Sequence, residues 1–127
     1  MWMLVRGNLG LAELLTGDAD AARHAFREEL MLCRELVDRH YISEGLRGLA
    51  AVAAVHGDLR RAARLVGASS AHRYGQPFDV IEARLDASFF DAARARCGTK
   101  AWDAAAREGG VLTFDDAIAY ALQEPPE

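Results

Sequence analysis

The sequence predicts an all-α chain, built from two antiparallel helical hairpins and about three additional C-terminal helices. Three observations carry the prediction. One hairpin signature occurs twice at a spacing of forty residues: Asn8-Leu9-Gly10 leads to Gly17-Asp18, Ala22 and Phe26, and Gly48-Leu49-Ala50 leads to Gly57-Asp58, Ala62 and Val66. In both copies a small residue lies seven before the turn glycine and an apolar anchor nine after it. Alanine dominates a hydrophobic fraction of 51%, which favours helix and close helix-on-helix packing. The three prolines, Pro77, Pro125 and Pro126, all fall outside the apolar-periodic stretches.

The elements follow in order. A first helix is expected from about Trp2 to Thr16, where Leu4, Leu9, Leu11, Leu14 and Leu15 give more than one apolar face and therefore call for neighbours on two sides. Gly17 ends it and Asp18 can cap the next. That second helix, reaching about Asp38, carries Ala22, Phe26, Leu30, Cys33 and Val37 as one stripe. After a corner at His40-Tyr41, Ser43 is the expected cap of a third helix with Leu46, Leu49, Ala50 and Ala53 inward. Gly45 and Gly48 in that helix each cost about 1 kcal/mol relative to alanine, so close backbone contact is expected there.

Gly57-Asp58 turns the chain again into a fourth helix, with Leu59, Ala62, Ala63 and Val66 inward and an end near Arg73. Gly75-Gln76-Pro77 breaks the pattern, dividing two hairpins (1–74) from a helical cap (75–127) packed on them as one unit. Beyond it Ile81, Leu85, Phe89 and Ala93 keep helical spacing as far as Cys97-Gly98. Thr99 is the expected cap of a short helix that bears Trp102 and Ala106 and stops at Gly109-Gly110. Thr113-Phe114-Asp115-Asp116 is a capping-box pattern with aspartate in the third place, and it announces a last helix with Ala117, Ile118, Ala121 and Leu122 inward. Glu124-Pro125-Pro126-Glu127 is expected to fray.

Charge and composition exclude several function classes. The net charge is −4, with +1 over residues 1–74 and −5 over 75–127, so the basic footprint of a nucleic-acid-binding surface is missing. The opening Met1-Trp2-Met3-Leu4-Val5-Arg6 lacks a signal-peptide pattern and no stretch is long enough to span a membrane, so a cytoplasmic protein is expected. Cys33 and Cys97 lack paired spacing and read as buried, reduced thiols. His24, His40, His56 and His72 read as helix-end or surface residues; none are four apart as a helical metal pair requires, and neither metal nor cofactor is expected. Ser69, Ser70 and His72 come without a glycine-flanked elbow or oxyanion donors, so no catalytic residue is assigned. Trp102, Phe89 and Phe90 read as core that fastens the C-terminal helices to the second hairpin.

The doubled L-G, G-D, A-x-x-x-F pattern resembles the tetratricopeptide repeat, lengthened from about 34 residues by one to two helical turns. Further, Leu46-Arg47-Gly48-Leu49-Ala50, Gly57-Asp58 and Arg61-Ala62-Ala63-Arg64-Leu65-Val66-Gly67-Ala68 are similar to the closing repeat region of large bacterial ATP-binding, LuxR-type transcriptional regulators. The similarity continues through Phe89, Trp102, Leu112-Thr113-Phe114-Asp115-Asp116-Ala117 and Ala119-Tyr120-Ala121-Leu122. It implies a right-handed α-solenoid fragment acting as a noncatalytic interaction or regulatory scaffold. The phosphate-binding loop of such regulators has no counterpart in this chain, and Arg6 and Glu13 replace the usual repeat aromatics.

In a tetratricopeptide-like array the first helix of each pair lines the concave surface. The expected contacts are therefore Leu4, Asn8, Leu11 and Leu15 from the first hairpin and Glu44, Arg47 and Ala51 from the second. The expected partner is a protein or peptide, or further domains of the same polypeptide. One alternative is a small-molecule effector held between the repeats and the C-terminal helices. Another is a homodimer through Leu11 and Leu14, because solenoid ends need polar caps or partners.

Overall fold

The computed structural model describes residues 2–37, 39, 41–73 and 80–123, of which 2–8 and 80–82 are described by their backbone alone. The described chain is helical throughout: α1 (Trp2–Leu15), α2 (Ala19–Leu36), α3 (Ile42–Val55), α4 (Leu59–Ala71), α5 (Val80–Leu85), a π-helical turn (Asp86–Phe90), α6 (Asp91–Cys97), α7 (Thr99–Gly110) and α8 (Phe114–Leu122). None of these helices is long and apolar enough to cross a membrane. The corner residue His40, the expected boundary at Gly75-Gln76-Pro77 and the tail from Glu124 lie outside the described residues.

The two Gly-Asp turns close alike. Gly17 N–H donates to Leu14 O and Asp18 N–H to Glu13 O, and forty residues later Gly57 donates to Ala54 O and Asp58 to Ala53 O. These paired bonds satisfy the last carbonyls of α1 and α3 and need a left-handed residue, supplied by Gly17 at φ 91° and Gly57 at φ 80°. Each aspartate then caps the next helix, accepting from Ala21 N–H at 3.1 Å and Arg61 N–H at 3.3 Å. A single dipeptide thus ends one helix and starts another, and so short a connection makes the two helices antiparallel neighbours.

Packing explains the internal glycines. The Phe26 ring is buried between α1 and α3: a Cβ on Gly10 would lie 2.9 Å from it and one on Gly48 would overlap it. Full burial of such a ring contributes about 2–3 kcal/mol, which exceeds the helix cost of either glycine. A Cβ on Gly45 would press on Leu30 in the same way. Helices α1 to α4 are successive neighbours, α1 also reaches α3, α7 lies along α4, and α8 rests on α2, α3 and α4.

Four local expectations are corrected. The third helix starts at Ile42, behind Tyr41, so Ser43 falls in its first turn and does not cap it; its hydroxyl bonds Ser69 across the α3–α4 contact. Thr99 is likewise inside α7, with Gly98 at the cap. The second helix ends at Leu36, two residues early, because Val37 turns left-handed at φ 51°. The spacing Leu85–Phe89 fails because the π turn inserts one residue, so that Leu85, Phe90 and Ala93 are buried and Phe89 is only half-buried. Ile81 lies outside the described side chains. The Thr113 cap stands as expected, accepting from Asp116 N–H at 3.1 Å.

Candidate functional site

Helix α8 brings no basic residue to its own last turn, so its terminal carbonyls need cations from elsewhere. Two arginines meet them. Arg27 Nη1 on α2 donates to Leu122 O at 2.6 Å, and Arg61 Nη2 on α4 donates to Tyr120, Ala121 and Gln123 O at 3.2, 2.9 and 3.1 Å. The Arg61 guanidinium also stands 5.0 Å from the Tyr120 ring centroid. These contacts hold the end of α8 against α2 and α4, over the C-terminal half of α3.

The space left between them is a cleft of about 470 Å³. Arg23 and Arg27, one turn apart on α2, form one wall, and Arg61 and Ala121 the other; Leu49, Val52 and Ala53 of α3 make an apolar floor. His56 and the Gly57-Asp58 turn close one end. Asp58 is the sole carboxylate among the lining residues, and it is the cap of α4. A cleft of this size, with an apolar base and a few converging charges, has the make-up of a small-ligand site.

A second cavity, of about 390 Å³, lies beside the π turn. Its charges are of both signs, and four of them are bonded in pairs: Arg47 meets Asp86 at 3.2 Å, and Arg94 Nη2 donates to both oxygens of Asp103 at 3.1 Å. Phe90 and Trp102 back it with rings 6.5 Å apart and are core, as expected of them, whereas Phe89, expected there too, is only half-buried. This cavity is a structural seam between α3, the π turn and α7.

Among the described side chains, the residues proposed for a concave surface do not form one exposed face. Arg47 and Ala51 are corrected outright: both are buried, Arg47 because it bonds Ser69, Ser70 and Asp86 inside the chain. Glu44 and Leu15 are exposed, Leu11 is half-buried, and the side chains of Leu4 and Asn8 lie outside the described ones. Leu14 is also corrected as a self-association residue, since it packs into the chain's own core.

Other reactive groups have structural partners. Ser69 Oγ is held by Ser43 and Arg47, and His72 Nε2 lies 2.7 Å from Leu112 O, which makes His72 a buried helix end and not a surface residue. Cys33 is buried and Cys97 half-buried, and neither is in a disulfide. Glu29 is different. It is wholly buried on α2, neither carboxylate oxygen has a hydrogen-bond partner among the described residues, and burial first, then the nearby negative charge of Glu44, push its pKa up to about 11. It is therefore a neutral acid at ordinary pH.

The cleft arginines were not singled out in the sequence. Two signals point to them: the i, i+4 pair Arg23/Arg27 on an otherwise apolar-striped helix, and a final helix lacking its own C-terminal cation. Comparison with protein-family models, with curated proteins and with solved structures returns no match.

Proposed function

We propose that this chain is a noncatalytic regulatory scaffold of tetratricopeptide-like hairpins that takes a ligand in the cleft between α2, the second hairpin and α8. Its resemblance to the repeat region of large bacterial LuxR-type regulators supports the regulatory role. The observation that carries the reading is the composition of the cleft walls: they come from α2, α3, α4 and α8, so an occupant touches the hairpins and the C-terminal cap at once. Binding there changes how firmly α8 is held. On this reading recognition lies in the cleft, and effector sensing stands ahead of concave-face peptide binding.

The test is a thermal-shift panel of anionic, neutral and cationic metabolites on the whole chain, repeated on Val52→Trp, which fills the floor. A ligand at a hundredfold excess over its Kd stabilises the folded state by about 2.7 kcal/mol, a shift of several degrees for a chain of this size. The expected result is at least one ligand that shifts the wild type, protects α8 amides from exchange and loses its effect in Val52→Trp. Ligand shifts identical in both proteins would place recognition elsewhere.

A further inference from the structure

We infer that α1 is a self-association surface, pairing antiparallel with α1 of a second copy of the chain about a two-fold axis near Leu9. The inference goes beyond the function proposed for the cleft and is independent of it.

The exposed face is the first argument. One side of α1 packs into the chain, where Gly10 and Leu14 are buried. The other leaves Leu9 43% and Leu15 40% exposed, with Ala12 exposed between them. Helical register carries that line back through Val5 to Trp2, so the positions 2, 5, 9 and 12 form one apolar stripe along the helix. Single exposed leucines are ordinary on a protein surface, whereas a stripe with no polar position in it marks an interaction face.

Charge placement is the second, and it selects the occupant. The charged residues of α1 are Arg6 and Glu13, two turns apart along one edge of the stripe. In an antiparallel pair, a two-fold axis between positions 9 and 10 sets position 6 of each helix beside position 13 of the other, so both copies of the ion pair form at once. Parallel pairing would set Arg6 against Arg6 and Glu13 against Glu13. The face is thus complementary to itself. The forty-residue register argues against a further hairpin as the occupant: on α3 the equivalent face takes the α2 stripe because Gly48 leaves room for the Phe26 ring and Gly45 for Leu30. Forty residues earlier stand Asn8 and Val5, so those glycine recesses have no counterpart on α1. The face suits a helix laid along it and not a ring inserted into it.

The experiment is sedimentation equilibrium of the whole chain from about 5 to about 500 μM, because one helix pair about 21 Å long makes an interface at the weak end of the specific ones. The average mass is expected to rise with concentration from 13.8 kDa toward twice that value. Leu9→Glu sets two carboxylates close together at the axis and is expected to raise the dimer Kd at least about tenfold. Arg6→Glu turns both ion pairs into like-charge contacts and is expected to raise it by about tenfold.

The double exchange Arg6→Glu/Glu13→Arg restores both pairs only in the antiparallel register, and it should return the Kd to within about threefold of the wild type. Val111→Glu, at a side chain 82% exposed between α7 and α8, should leave the Kd unchanged. Each variant is melted beside the wild type; where Leu9→Glu fails to fold, Ala12→Arg at the exposed middle of the stripe takes its place with the same expected loss. A chain that stays monomeric throughout, a dimer indifferent to a charge on the stripe, or a double exchange no tighter than Arg6→Glu alone overturns the inference.

Discussion

Arg47 Nη1 donates to Asp86 Oδ1 at 3.2 Å, joining the middle of α3 to the first residue of the π turn. The arginine is buried at 4% side-chain exposure and the aspartate is one-third exposed, so the pair is unequal. Removing the carboxylate takes from a buried cation the anion it bonds, whereas removing the arginine leaves an aspartate that water can reach. Asp86→Ala is therefore expected to cost about 2 kcal/mol and Arg47→Met less, with Asp86→Ala nearly silent in the Arg47→Met background. Urea unfolding of the four proteins measures the cycle, and equal single losses would contradict the asymmetry.

Helices α4 and α7 touch backbone to backbone. A Cβ on Gly67 would overlap the carbonyl of Ala106, and one on Gly109 would overlap the carbonyl of Arg64. Neither obstacle is a side chain that can swing away. Gly67→Ala and Gly109→Ala should each destabilise the chain by about 3 kcal/mol and free α7 first, read as faster amide exchange over 99–110. Gly110→Ala, whose Cβ would meet Gly67 O at an ordinary 3.7 Å, should be tolerated. At the rim Arg64 and Arg60 hold Glu108, with Arg64 the main cause of its lowered pKa, but Glu108 is exposed and these bridges add little.

Val37 closes α2 at φ 51° with its side chain 65% exposed, a left-handed β-branched residue that buries little in return. The left-handed conformation costs about 1–2 kcal/mol for an L-residue, and glycine escapes that cost while losing about 0.5–1 kcal/mol in chain entropy. Val37→Gly should thus raise stability by about 0.5–1 kcal/mol. The urea midpoint should move up at constant slope. Val37→Ala keeps the Cβ and should gain nothing comparable.

Glu29 gives the chain a pH dependence of definite sign. Its carboxyl is protonated in the folded state up to about 11 and, unfolded, only up to about 4.5, so between those values the folded state holds the extra proton. Stability from this group is complete below 4.5 and falls as pH rises, by up to roughly 1.4 kcal/mol per unit. Glu29→Gln keeps the shape without the titration. It should stabilise the chain at pH 8, have little effect at pH 4, and flatten the profile between; a wild-type profile already flat over that range would refute the assignment.

The sequence by itself determined what is local. Gly17-Asp18 and Gly57-Asp58 spell out the end of one helix and the cap of the next, because a left-handed residue followed by a short carboxylate acts on atoms within five residues. The stripe through Ala22, Phe26, Leu30 and Cys33 and the Thr113 cap were legible for the same reason. Ser43 and Thr99 misled because a hydroxyl beside a helix start can cap or can turn inward, and only the neighbouring helix decides which. The π turn at Asp86–Phe90 packs on α3, and its extra residue put Phe90 in the place expected for Phe89.

The candidate cleft belongs wholly to the tertiary level. Arg23, Arg27 and Arg61 are ordinary surface arginines until α8, with no cation of its own, is laid against α2 and α4 and draws two of them to its carbonyl end. Helical periodicity says which face of a segment is apolar; it does not say which distant helix end a charged side chain will meet. That is decided when the core closes and every buried or half-buried carbonyl has to find a donor.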